Sequence, residues 1–122
     1  MSPRLVHRFD EIDWHLPGGA GADPAAVEAA AALGVARKHY AQGEAGFFVQ
    51  VVRFPPHFET PPHSHDHSEV FVVLEGSCVF DGAPMGRHDS TVVEANDKYG
   101  FTTGADGVVL LVVRTGAAAV LL

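Results

Sequence analysis

The chain has 122 residues, 47% of them hydrophobic, enough for one domain with a buried core. Its 15 acids against 8 Lys and Arg give a formal charge of −7 with no basic cluster, which argues against nucleic acid or an anionic membrane as partner. One cysteine, Cys78, forms no internal disulfide; no apolar run spans a bilayer and none resembles a signal peptide, so a cytoplasmic protein is expected.

Residues 1–22 read as an irregular arm ending in the glycine-rich LPGGAGAD. Asp23 is then a natural N-cap, Pro24 suits the first turn, and AAVEAAAAL carries a short helix that Gly34 can close. From Val35 onward the pattern changes to short Val- and Phe-rich segments between Gly, Pro and Asp breaks. Strands are predicted near 35–41, 46–54, 58–64, 69–75, 77–81, 90–95, 98–103, 107–115 and 117–121, which suggests a sandwich or barrel. Hairpin turns are predicted at 43–46 (GEAG), 81–84 (DGAP) and 104–107 (GADG). The chain thus divides into an arm with one helix, 1–34, and an all-β domain, 35–122. VFVVL (70–74) and VVLLVV (108–113) are apolar on both faces. Their outer face needs cover from the arm or from a second subunit, and a homodimer is the expectation.

The segment PPHSHDHSEVFVVLEG, residues 61–76, concentrates the chemistry. His63, His65, His67 and Glu69 share parity, so a straight strand would point all four to one side. Two imidazoles and a carboxylate suit Fe(II), Mn(II), Ni(II), Zn(II) or Cu(II). The bland alternative is a solvated, histidine-rich turn. Two features argue against it: Pro61-Pro62 stiffens the entry, and Glu69 heads an apolar strand, where an unpartnered carboxylate is costly to bury.

His63-x-His65, three residues, Glu69, six residues, Gly76 resembles the first motif of the cupin superfamily, with His57 where the leading glycine would stand. The resemblance implies a small β-barrel (a double-stranded β-helix or jelly roll). It further implies a divalent metal held inside by His63, His65 and Glu69, iron first, with manganese, nickel or zinc as alternatives. Dimers are frequent in the family. The second motif is degenerate. Its best placement runs from His88 to Thr103, with Tyr99 at the position of the fourth ligand, a histidine in the family. Tyr99 then has three readings: a phenolate ligand, an acid, base or hydrogen-bond donor beside the metal, or a filler in a barrel that has lost its metal.

His57 and His88 read as surface residues, and His67 as exposed or supporting. His7, His15 and His39 show no partner pattern. Arg53 and Arg114 each read as a substrate-carboxylate anchor or a rim ion pair. Cys78 reads as a small buried hydrophobe, and Phe47, Phe71, Phe80 and Phe101 as mainly core. Trp14 is placed as an anchor for the arm. Three functional readings stay open. One is a mononuclear metalloenzyme with dioxygenase-type chemistry on a small organic substrate in the barrel. The second is a metal-dependent isomerase or lyase in which Tyr99 or Glu94 moves a proton. The third is a metal-free ligand-binding or sensory module.

Overall fold

The computed structural model describes residues 4, 6–18, 22–117 and 120–121. Helix α1, Pro24–Ala32, starts where Asp23 accepts a hydrogen bond from the Ala25 amide, with proline in the first turn. Among the described residues eight strands follow: β1 Ala36–Gln42, β2 Phe48–Phe54, β3 Ser64–His65, β4 Glu69–Phe80, β5 Ala83–Met85, β6 Ser90–Val93, β7 Phe101–Arg114 and β8 Val120–Leu121. The main sheet runs β1-β2-β7-β4-β5, with β6 also on β4, and β3 pairs β8 separately. Each of these pairings is antiparallel. This is the single all-β, cupin-like barrel expected, with an arm and one helix.

Two hairpins form as predicted. Gly43, at φ 115°, opens the β1–β2 turn, and Asp81 and Gly82, at φ 46° and 82°, make the two-residue β4–β5 turn. The third does not. GADG lies inside β7, and the segments predicted as 69–75 and 77–81 are likewise one strand, β4. Gly76, opposite Val108, and Gly107 take φ 74° and 71°, and a Cβ on Gly76 would collide with the Gly107 carbonyl. The register slips on either side of Gly76, so the paired strands bend there and continue. The expected strand 58–64 also fails. Pro61-Pro62 cannot donate to a ladder, and the segment makes only isolated bridges, Glu59 to Thr102 and His63 to Tyr99, before β3.

Register defines the inner face. Residues directly opposite one another share a side of the sheet. One row is Phe48–Arg114–Glu69, the next His39–Gln50–Val112–Phe71, the next Arg37–Val52–Leu110–Val73. Val52, Phe71, Val73, Leu110 and Val112 belong to the buried core with Phe80, Tyr99 and Phe101, so these rows point inward. Phe47 is a correction: it is 58% exposed at the β1–β2 turn.

The opposite face is covered in part by the arm. His15 pairs with Arg37 on the free edge of β1 through two backbone hydrogen bonds. Lys38 is buried on the outer face, where its Nζ donates to the Phe9 carbonyl at 2.6 Å and lies over the Phe9 and Trp14 rings. Arg53 stacks on Trp14 at 4.2 Å. Trp14 thus anchors the arm as expected. The far side stays open: Val92, paired with Val70, is 67% exposed. The expected apolar tail falls partly outside the described residues.

Candidate functional site

Backbone pairing brings the predicted residues together. His63 and Tyr99 exchange both amide hydrogen bonds, at 3.0 and 2.9 Å, which sets their side chains next to each other. The turn before Tyr99 is tied to the histidine segment by Asn96, whose amide donates to the His65 carbonyl, and by Ala95, whose amide donates to the Ser68 hydroxyl. The His63 ring centroid lies 5.1 Å from that of His65 and 4.6 Å from that of Tyr99.

Glu69 is the centre of the cluster and only 2% exposed. Arg114, opposite it on β7, donates Nε to Oε2 at 2.5 Å. The other oxygen, Oε1, faces the Tyr99 hydroxyl at 3.5 Å and His65 Nε2 at 3.7 Å. A buried carboxylate therefore has a cation on one oxygen and a hydroxyl and an imidazole on the other, which offsets its desolvation. Burial first, then the Glu69 charge, push the Tyr99 phenol well above its ordinary value and favour the protonated hydroxyl.

The donor types suit a divalent ion. A backbone carbonyl only accepts, so the 2.9 Å contact of His63 Nδ1 with the Pro61 oxygen makes Nδ1 the donor and leaves Nε2 as the lone-pair nitrogen. His65 Nε2 and Glu69 Oε1 stand 3.7 Å apart, and an imidazole nitrogen and a carboxylate oxygen that close would suit one divalent ion. Arg114 occupies only Oε2, as a supporting contact to a ligating carboxylate would. Among the described residues no three His, Cys, Asp or Glu side chains already stand together as a complete set, and His63 meets its neighbours by ring contact.

The other candidates separate cleanly. His57 and His88 are exposed at φ 54° and 74°. The chain turns after His65, so the straight-strand parity breaks there. His67 swings to Asp66 at 2.9 Å and packs against Gly116. Glu94 is exposed beyond the end of β6. Arg53 is on the outer face, its Nε on the Gly34 carbonyl, whereas Arg114 is inside with Glu69. Cys78 is a buried core residue, and its burial raises the thiol.

Sequence reasoning missed one group. Arg37, His39 and Gln50 face inward beside Arg114 and line a cavity of about 310 Å³. The available signal was the alternation in β1: Arg37 and His39 are two apart and share a face. His39 also has a ring partner after all, His15, with centroids 6.1 Å apart, and His7 stacks on Tyr40.

The profile of the Cupin domain family matches residues 50–114, more than half of the chain. The chain belongs to the cupin family. No curated protein matches it. Among solved structures, the cupin resembles KdgF from Halomonas sp. at 18% identity and TM-score 0.66, over 93% of this chain and 94% of that one. It resembles the polyketide cyclase RemF from Streptomyces resistomycificus at 20% identity and TM-score 0.68, over 98% and 84%. It also resembles a cupin-superfamily sugar phosphate isomerase from Silicibacter pomeroyi at 26% identity and TM-score 0.66, over 92% and 74%.

Proposed function

We propose that this cupin is a metal-assisted isomerase- or lyase-type enzyme acting on a small organic substrate at the polar end of the barrel. The reading rests on one observation: the Tyr99 hydroxyl, kept protonated by burial and by Glu69, stands beside two imidazoles and an arginine-held carboxylate. The isomerase among the similar structures supports it.

His63, His65 and Oε1 of Glu69 would hold the ion, and when bound it would supply Lewis-acid polarisation of a substrate carbonyl. This chain's own residues do the rest. Arg114 keeps Oε2 engaged and fixes the carboxylate plane. Pro61 fixes the His63 ring through Nδ1. Tyr99 keeps its proton at Oη and donates a hydrogen bond to a substrate oxygen as negative charge develops there. Phe71 and Phe80 pack on the Tyr99 ring, with centroids 5.3 Å away in both cases, and hold it in place. A homodimer covering the open Val70–Val92 face belongs to the same reading, and a monomer by sedimentation at micromolar concentration would remove it.

The test begins with metal analysis after chelation and reloading with Fe(II), Mn(II), Ni(II) and Zn(II) separately. One ion per chain is expected, lost in His65→Ala while the barrel stays folded. Turnover is then screened on small hydroxy-carbonyl compounds without oxygen. Tyr99→Phe should keep the ion and the fold and lose about 10²–10³ in rate. Unchanged turnover in Tyr99→Phe would sink the role of Tyr99, and oxygen consumed in step with turnover would replace this reading by the dioxygenase one.

A further inference from the structure

Inside this acidic protein is one compartment of the opposite sign. Its wall carries Arg37 and His39 from β1, Gln50 and Phe48 from β2, and Arg114 from β7, around about 310 Å³. No Asp or Glu lines it among the described residues. The Arg114 charge is already matched by Glu69. Arg37 is not matched: its Nε donates to the Leu16 carbonyl at 2.9 Å, and no carboxylate comes within ion-pair reach of it among the described residues. A neutral carbonyl satisfies one donor and leaves the charge.

The neighbourhood is self-repelling. Arg37 is lowered by burial and by Arg114, and His39 by burial and by Arg37, His15 and Arg114. Gathering like charges around a void is unfavourable unless an anion joins them. The wall also offers neutral partners, since Gln50 is buried beside His39 in the same inward row. Arg114 links this compartment to the cluster, because the same guanidinium that lines the cavity holds Glu69.

We propose that this cavity is the binding subsite for the carboxylate or phosphate of a small organic anion, gripped by Arg37 and Arg114 with His39 and Gln50 alongside. It names the substrate class and rests on the proposed function only for the statement that the bound anion is a substrate. Bidentate arginine contacts suit both anions. A cavity of about 310 Å³ lies at the small end of the range that takes organic ligands, roughly 300–1,000 Å³. Glu69 and Tyr99 do not line the cavity, so a bound molecule reaches them only if it is long enough to extend past Arg114.

The test is an NMR titration of the full chain, with a chelator present throughout, using inorganic phosphate, acetate and, as neutral control, glycerol. Saturable shifts of the His39 ring and arginine side-chain signals with phosphate or acetate, and none with glycerol, are expected. Saturation by phosphate alone assigns a phosphate subsite, and displacement of phosphate by acetate extends it to carboxylates. Arg37→Gln should weaken the binding about tenfold or more. Because Arg37 also ties down Leu16, His39→Gln provides a second variant that should weaken it less. Absence of saturable binding of both anions to the wild type, or equal affinity in both folded variants, overturns the proposal. Anion binding with no metal uptake would keep the subsite and discard the reaction, so the two readings fail separately.

Discussion

The two ends of the barrel interior are built by the same strands and filled in opposite ways. At one end β2 contributes Phe54, β4 Phe80 and β7 Phe101, with the Phe101 centroid 4.9 Å from that of Phe54 and 5.8 Å from that of Phe80. At the other, β2 contributes Gln50 and Phe48, β7 Arg114 and β1 Arg37 and His39, and a cavity remains. Tyr99 stands at the seam, its ring against Phe80 and its hydroxyl on Glu69. Stability belongs to the closed end, where apolar surface is packed out. Polar residues are placed at the other end, where packing is given up and charges are left for something else to satisfy.

The largest expected effect lies at the closed end. Phe80→Ala should cost about 3–5 kcal/mol in urea unfolding, since the ring is buried among three other aromatic side chains. A loss under about 1 kcal/mol would mean that this end is not the stabilising one. Next comes the boundary. Arg114→Met leaves Glu69 buried without its cation and should cost about 3 kcal/mol. Adding Glu69→Gln should recover most of that loss, and no recovery would show that Arg114 acts through packing instead. Cys78 gives a non-perturbing probe of the closed end: a thiol reagent at neutral pH should label it only as fast as the domain opens. Prompt labelling of the native protein would break the comparison.

The smallest effect is electrostatic. The folded-state pKa of His39 lies below its unfolded value, so the unfolded chain binds more protons as pH falls through the histidine range. Its contribution to stability is present above the unfolded pKa and is lost as pH drops toward the folded one. His39→Gln should therefore flatten the fall in melting temperature between about pH 7 and pH 5. A slope as steep as wild type would place the acid sensitivity on another histidine.

How much was legible depended on how local the signal was. His63, His65, Glu69 and Gly76 could be read because their spacing lies within one short segment, and a spaced motif survives without knowledge of what pairs with it. Even there parity holds only as far as the strand is straight, and the turn after His65 sends His67 away. GADG was misread for a physical reason. A hairpin and a bent strand can each use glycine at positive φ, and only the partner strand decides which forms; here Gly76 pairs with Val108, close against the Gly107 carbonyl, and the chain runs on. Phe47 could not be separated from Phe48 by composition, yet one is exposed in the turn and the other lines the cavity.

The amino-acid sequence by itself determined the class of fold, the capped helix, two of the hairpins and the histidine–carboxylate segment. Each follows from propensity, turn chemistry or short-range spacing. Only the tertiary structure decided that Arg114 and not Arg53 meets Glu69, and that Arg37, His39 and Gln50 share a cavity with it. Those meetings depend on the register of β1 on β2, of β2 on β7 and of β7 on β4, between residues up to tens of positions apart. A shift of one residue would turn every one of these side chains to the other face.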